Sequence, residues 1–476
     1  MEGTMLKTKR KLDFTQGPIA SSIFSFALPI VATNVLQVFY SAADMMIVSM
    51  SSEPNAVGAI GVCGSFLNII LNIFIGFSVG SNVIIARHLG SKHVDEASRA
   101  AHTAVLMSLI FGVFGSAVGI LASRPVLVLM GNTGNVLELA LRYSFIYLLG
   151  CPFISLTNYC VSIFRAKGNS RTPFLVMSFA GVLNVLLNLV FVLGFGMAVE
   201  GVAAATALSN VASAAILLVK LLRTKDGLGI KLKKLKIDRR SFRDIILVGL
   251  PSGIQGALFS ISNLLIGSSL IKLDTMLSPD PSLTPVLNGN TAAGNLDNFV
   301  YTTMNAFSAA VTTFVSQNYG AGRPDRVKKG LYVSYGLVSL MGLAITALIL
   351  LFRVPLLSLY GVVEGVPGTA DAVAFYTSTV RVYYILIPYF LCGLMEVGTS
   401  CVRALGKSGL ASLISLFGAC VFRAFWVTVV FPRFYTLESL FVSYPISWLA
   451  TALIAYVFAT VLNKNFKKKL KLSSAS

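Results

Sequence analysis

The sequence predicts an all-α polytopic membrane protein: twelve transmembrane helices in two pseudo-symmetric six-helix bundles around a central cavity. Three observations predict it. Of 476 residues, 55% are hydrophobic and only 12% charged, with a mean hydropathy of +0.79; soluble globular chains do not reach such values. Twelve apolar runs each reach the ~20 residues that a helix needs to cross the hydrocarbon core. The second six runs also repeat features of the first six in the same order.

The runs lie at 22–48, 57–86, 98–122, 136–162, 173–195 and 199–222, then at 243–271, 291–318, 329–352, 372–399, 409–431 and 437–461. Several exceed the minimum, which implies tilt or extension past the lipid. A polar linker over 223–242 divides an N-terminal bundle, 1–222, from a C-terminal bundle with a basic tail, 243–476.

The net charge of +19 raises nucleic acid as a partner, and its distribution removes it. Of 38 Lys and Arg, 31 fall in alternate connections and the two tails: Lys7 to Lys11, Arg87 to Arg99, Arg165 to Arg171, Lys220 to Arg243, Arg323 to Lys329, Arg403 with Lys407, and Lys464 to Lys471. The intervening connections hold only Arg124, Lys272, Arg353 and Arg433. That alternation is the positive-inside pattern; it places both termini in the cytoplasm of a multi-pass plasma-membrane protein. The six cysteines all lie in or at the ends of apolar runs, so they read as small buried hydrophobes and not as disulfides or metal pairs. The first run is too long for a signal-peptide core and is expected to remain as a span.

The repeat is parallel. Leu28-Pro29 matches Leu250-Pro251, and Gly90 with Asp95 matches Gly320 with Asp325. Arg142 opens span four as Arg381 opens span ten. Arg165, Ala166 and Gly168 answer Arg403, Ala404 and Gly406. The separations are 222 to 239 residues. Two such bundles facing a cavity are used by transporters that alternate access by rocking.

Candidate chemistry begins in span one. Asp44 lies inside an apolar run, where a carboxylate costs about 2.5–3.5 kcal/mol on insertion scales and marks a functional site by default. At helical spacing the same face carries Ser41, Tyr40, Gln37, Asn34 and Thr33. Pro29 and Pro251 are expected kinks. Asn184 and Asn188 share a side of span five, and Thr206 in span six with Asn68 and Asn72 in span two adds polar groups. Such residues also serve as interhelical glue, at ~0.6 kcal/mol each. In the second half, Glu396 reads as a cavity ligand or as a partner of Arg403, while Gln255 stands one turn past Pro251, with Ser262 and Asn263 two turns on. Asp297 reads as interfacial, and Gly76 with Gly80 as a site of close helix approach. His88, His93 and His102 read as solvated or interfacial. No enzyme signature survives: Gly406-Lys407-Ser408 resembles the end of a phosphate loop, but Cys401 stands where its first glycine belongs. Neither a cofactor nor ATP is expected, so an ion gradient must supply the energy.

The joint order of Gly17-Pro18-Ile19, Leu28-Pro29-Ile30, Ala43-Asp44, Ala86 to Gly90, Arg165 to Asn169, Asn184 with Asn188, and Gly201 to Thr206 is similar to the multidrug and toxic compound extrusion (MATE) family, over essentially the whole chain. The resemblance implies a monomeric antiporter that expels organic, often cationic and amphipathic compounds in exchange for H⁺ or Na⁺. It implies a cation site from Asp44, Asn184, Asn188 and Thr206, with Asp44 a possible Na⁺ ligand. A substrate cavity would be lined by Asn34, Gln37, Tyr40, Ser41, Asn68, Asn72, Gln255 and Glu396. Expected partners are a small organic substrate and membrane lipids. Many bacterial members carry aspartate where this chain has Asn188, so one carboxylate replaces two. The pocket then has less negative charge to hold Na⁺, which tilts the expectation slightly toward H⁺, although the Asn188 carbonyl remains a possible Na⁺ ligand. The alternatives are a flippase for lipid-linked substrates, which should line its cavity with several arginines, and a polytopic membrane enzyme.

Overall fold

The computed structural model describes residues 13–51, 53, 55–280 and 283–473; the side chains at 260, 261, 263 and 264 also fall outside the description. The basic residues Lys7 to Lys11 and the Asn263 side chain therefore lie outside the described residues. All regular structure among the described residues is helical. The first half supplies α1 (Ile19–Ser49), α2 (Ala56–Gly90), α3 (Val94–Leu129), α4 (Gly134–Leu149 joined to Cys151–Ala166), α5 (Arg171–Gly194) and α6 (Val199–Leu222). The second half supplies α7 (Arg239–Leu277) and α8 (Pro285–Gly320), then α9 (Pro324–Leu351), α10 (Ala370–Ala404), α11 (Ser408–Arg433) and α12 (Leu437–Ser473). Among the described residues nine of these are long and apolar enough to cross a membrane, and α4 qualifies as a pair bent by 48°; Pro152 at the start of its second piece removes a backbone donor there. The helices α7 and α8, of 39 and 36 residues, stand where spans seven and eight are expected.

The sequence repeat turns out to be a repeat of helix endings. Gly168 and Gly406 both take left-handed backbone, φ 74° and 89°. Each closes its helix with the same pair of bonds: Gly168 N to Arg165 O and Asn169 N to Phe164 O, against Gly406 N to Arg403 O and Lys407 N to Val402 O. This is the Schellman ending that glycine permits without strain. The turns after α2 and α8 match likewise, except that Lys92 holds φ 61° where its counterpart Gly322 holds 68°.

The halves are not separate in their packing. Phe14, Ile23, Phe26, Ala27 and Ile30, from the beginning of α1 and the segment before it, belong to the hydrophobic core of the second half. Reciprocally, Ile245 and Val248 near the start of α7 belong to a core of the first half. The segment before α1 is a strap tied to the second half. Phe14 N donates to Gln317 Oε1 at 3.2 Å, and the Phe14 carbonyl accepts from Asn318 Nδ2 at 3.1 Å and Arg326 Nε at 3.0 Å. Arg326 Nη2 also reaches the carbonyls of Gln16 and Gly17, both at 2.8 Å. The fully buried Phe14 ring meets Phe26 and Phe314 edge-on, a burial worth about 2 kcal/mol. Gln317 then crosses back, donating from Nε2 to the Ala166 carbonyl at 2.7 Å.

Glycine sets how near the halves come. A Cβ at Gly76 or Gly80 on α2 would overlap the backbone of α7 at Gly253, Ile245 and Gly249, and one at Gly249 or Gly253 would press on α2. Gly90 abuts the Gln317 backbone and Gly320 that of Arg87, a symmetric crossing of α2 and α8. All of these contacts lie toward the end of the molecule that carries the basic connections. Along the other half of the same two helices, Gly58, Gly61, Gly64 and Gly267 have no neighbour within 4 Å of such a Cβ. The α2–α7 pair is therefore closed at the basic end and parted at the far end. Gly76→Leu is expected to cost about 3 kcal/mol by overpacking, and Gly64→Leu less than about 0.5 kcal/mol. Thermal unfolding of the two detergent-purified variants checks this, and equal melting would contradict the interlock.

Candidate functional site

A polar cluster forms where the far ends of α1, α5 and α6 meet. Asp44 precedes the last residue of α1, Ser49, by five positions, so it lies nearer that end than the middle of the helix implied by the apolar run. Asn184 and Asn188 occupy the last turns of regular α-helix in α5, and a wide π-helical stretch, Leu189–Gly194, follows directly; such turns often accompany functional sites. Asn188 Nδ2 donates to Asp44 Oδ1 at 2.5 Å. With its amide nitrogen turned to the carboxylate, Asn184 donates to the same oxygen at 2.8 Å and its own oxygen accepts from Thr206 N at 3.3 Å. The four residues expected to bind the coupling ion thus lie together.

The cluster has spare acceptor capacity. Asp44 is half-buried and Asn188 fully buried, yet Asn188 Oδ1 has no partner. A buried acceptor left in that state costs about 1–3 kcal/mol. One carboxylate, two amide oxygens and a hydroxyl form a donor set suited to a proton on Asp44 or to a hard monovalent cation. Two residues that sequence reasoning missed border it: the rings of Tyr143 and Tyr147 stack at 5.8 Å and lie within electrostatic range of Asp44. Nothing in the sequence marked them, because tyrosines in an apolar run do not show which helix they will face.

The remaining polar stripe of α1 divides its loyalties. Asn34 Nδ2 donates to the Thr302 carbonyl on α8 at 3.0 Å, tying the halves together. Tyr40 Oη donates to the Ser178 carbonyl at 3.2 Å, and its ring lies over Gly181. Gln37 and Ser41 stay exposed, as does Asn68 on α2. Asn72 donates to the Asn68 carbonyl at 2.8 Å and lies against Gly256 of α7. Asn34 and Tyr40, expected in the cavity wall, are therefore held as interhelical ties.

The second half corrects several expectations. Gln255 is buried, and its Oε1 accepts from Arg403 Nη2 at 3.0 Å, so it serves a buried tie. Glu396 is half-buried, accepts from Ser308, and feels both Arg403 and Tyr301 electrostatically. Asp297 is not interfacial: it is buried in α8 and pairs with Arg381 at 2.8 Å, while Arg381 also donates to Asn290 Oδ1. Arg381 lies three turns inside α10 and not at its opening. Arg423 is buried with its guanidinium 4.1 Å over the Tyr444 ring. His102 is buried and structurally engaged, not solvated. All six cysteines are free and buried.

Two sets of long, largely apolar helices, with the opening turns of α1 and α7 exchanged between their cores and one carboxylate held by two amides at a helix junction, are the architecture of a multi-pass membrane protein. The chain belongs to the MatE family of multidrug transporters, whose model matches residues 29–190 and 284–428. It is 26% identical over 452 residues to the probable multidrug resistance protein YoeA of Bacillus subtilis (strain 168), covering 91% of this chain and 92% of that protein. To the multidrug export protein MepA of Staphylococcus aureus it is 23% identical over 261 residues, 55% of this chain and 58% of MepA. In fold it is similar, at TM-score 0.87 and 22% identity over 97% of this chain and all of the other, to a MATE transporter solved in an outward-facing conformation. A Pyrococcus furiosus transporter of the MOP superfamily, described as having a binding pocket of reverse polarity, matches at TM-score 0.88, 22% identity, and 97% and 99% coverage.

Because Asp297 is buried and Arg381 is its ion-pair partner, Arg381→Gln alone leaves the Asp297 carboxylate uncompensated and is expected to cost about 3–5 kcal/mol. The double variant Asp297→Asn/Arg381→Gln is expected to recover most of that loss. Melting of the three proteins in detergent is the measurement, and a double variant no better than the single would show that the pair is not what holds α8 to α10.

Proposed function

We propose that this protein is a cation-coupled antiporter that exports organic, cationic or amphipathic compounds from the cytoplasm by alternating access. It would act as a monomer in the plasma membrane, with its basic end and both termini inside. The observation that carries this reading is the Asp44 cluster: one carboxylate under two amides, with a buried oxygen of Asn188 left without a partner. An exchange cycle requires a small cation to bind two conformations with different affinity, and a carboxylate at a junction of three helices meets that requirement because its neighbours change when the helices move. The names of the bacterial relatives, a multidrug resistance protein and a multidrug export protein, support export as the direction.

The closed basic end and parted far end correspond to the outward-open stage. Substrate leaves from there, and H⁺ or Na⁺ enters from the same side. In this reading Asp44 takes up the ion, with Asn184, Asn188 and Thr206 supplying the oxygens if it is Na⁺. Loading neutralises the Asp44 carboxylate, removes the cost of keeping a bare charge out of water, and permits the far ends to close. Opening the basic end then requires the strap and the glycine contacts of α2 with α7 and α8 to part. The driving force is adequate: one elementary charge across 100 mV supplies about 2.3 kcal/mol. A flippase for lipid-linked substrates is less well supported, because the intramembrane arginines Arg381, Arg403 and Arg423 are engaged with Asp297, Gln255 and Tyr444 and do not line a free path.

In vesicles with pH and Na⁺ gradients imposed separately, ethidium or a similar cation should be exported by wild type, and Asp44→Asn should export at least about tenfold less, the effect expected when a coupling group is lost. Export unchanged in that variant would remove Asp44 from the mechanism. Asn188→Asp restores a second carboxylate and is expected to make export more dependent on Na⁺ than wild type; an unchanged ratio of Na⁺-driven to pH-driven export would count against Asn188 as an ion ligand.

A further inference from the structure

The connection between the two halves is a built element. Its apolar residues Leu228 and Ile230 are buried in the core of the first half. His102 on α3 fixes one point: its Nε2 accepts from Lys231 N at 2.9 Å, while Nδ1 lies 2.7 Å from the Ser98 carbonyl and so carries the proton. The adjacent residue fixes the other: Thr103 Oγ1 accepts from Asp238 N at 3.0 Å. Between these pins the chain forms a short arch with a single helical turn at Leu232–Lys234.

The arch presents Lys231, Lys233, Lys234 and Lys236 exposed, with Leu232 64% and Ile237 37% exposed among them. Arg239, Arg240 and Arg243 follow, exposed, in the opening turns of α7. Cations there oppose the positive end of the helix dipole, which favours a bound anion. The segment 231–243 thus has seven cations and one acid. That acid, Asp238, is already committed: Oδ2 accepts from Ser241 N and Oγ, both at 2.8 Å. Those bonds, with Arg99 and Arg240 nearby, hold its carboxyl below the ordinary carboxylate range. No ion pair within 4.0 Å joins any of the seven cations to a described residue.

We infer that this arch is a binding site for anionic phospholipid, with the lysines and α7 arginines on the phosphodiester headgroup and Leu232 and Ile237 in the apolar layer beneath it. Position favours lipid over a soluble anion: α6, an apolar span, ends at Leu222, and α7, which stands where span seven is expected, begins at Arg239, so the arch falls where those helices would leave the bilayer. Exposed leucine and isoleucine between lysines suit that boundary, where apolar side chains bury and cations snorkel to the headgroups. Free phosphate would use the charge and leave the apolar pair in water. The pins at His102 and Thr103 hold the charges in one arrangement before lipid arrives, which lowers the ordering cost of binding.

The test uses the full chain purified in detergent and titrated with phosphatidylglycerol, phosphatidylcholine or inorganic phosphate, with bound lipid counted by native mass spectrometry. Wild type should prefer phosphatidylglycerol to phosphatidylcholine by at least about tenfold, and Lys231→Gln/Lys233→Gln/Lys234→Gln/Lys236→Gln should lose at least about tenfold in that affinity. Neutralising Lys464, Lys467, Lys468 and Lys469 at the end of α12 removes the same charge elsewhere and should leave it unchanged. His102→Phe keeps every lysine and arginine of the arch but removes a pin, and should weaken binding several-fold. Equal losses in the arch and tail variants, equal binding of the two lipids, full affinity in His102→Phe, or displacement by millimolar inorganic phosphate would each overturn the inference.

Discussion

The constraint on which the architecture depends is how close α2 and α7 can come. In lipid, helices gain little from burying apolar side chains against one another, so association relies on close backbone approach and on polar ties. Gly76 and Gly80 face Gly249 and Gly253 with no room for a side chain. That approach brings the two halves into register at the basic end. Beyond it, a Cβ at Gly58, Gly61, Gly64 or Gly267 would meet no neighbour within 4 Å, so the two helices part toward the far end. A joint tight over half its length and open over the rest is the geometry that the proposed alternating access would need, provided the ties that flank it are individually modest.

Those ties are modest and numerous. Asn34 to Thr302, Thr313 to Asn82, Arg87 to Ala404 and Gln317 to Ala166 are single hydrogen bonds between halves, each worth about 1 kcal/mol net. By contrast, the buried pairing of Asp297 with Arg381 and the seat of Arg423 over Tyr444 lie within the second half, while Arg326 alone commits a guanidinium to several carbonyls of the strap. Apart from that strap, the interface between the halves is held by single bonds.

Much of this was legible in the residues, for identifiable reasons. Helix class and span order follow from the run lengths, and the repeat was visible because Gly168, Gly406 and Gly320 are needed for backbone geometry or contact, which few other residues satisfy. The cluster of Asp44, Asn184, Asn188 and Thr206 was legible as a set because polar groups are rare in such helices, although the bond pattern among them was not. Pairings between distant helices stayed hidden. Asp297 looked interfacial because its partner, Arg381, is 84 positions away, and Asn34 and Tyr40 share a face with Asp44 yet satisfy different neighbours. Tyr143 and Tyr147 were missed because an aromatic pair in an apolar run does not announce that it faces a carboxylate on another helix. The clean division at the linker also gave no hint that the opening turns of α1 and α7 are exchanged between cores.

That exchange bears on how the chain is made. The strap at Phe14 leaves the ribosome well before its anchors: Gln317, Asn318 and Arg326, which hold it, are about three hundred residues later in the chain. At the usual pace of synthesis that interval is roughly 15–60 s. Throughout it the first helix can hold α5 through Tyr40 and Asp44, while the apolar flank at its opening waits for α8, so the exchanged end of this helix is seated only after the second half has begun to form.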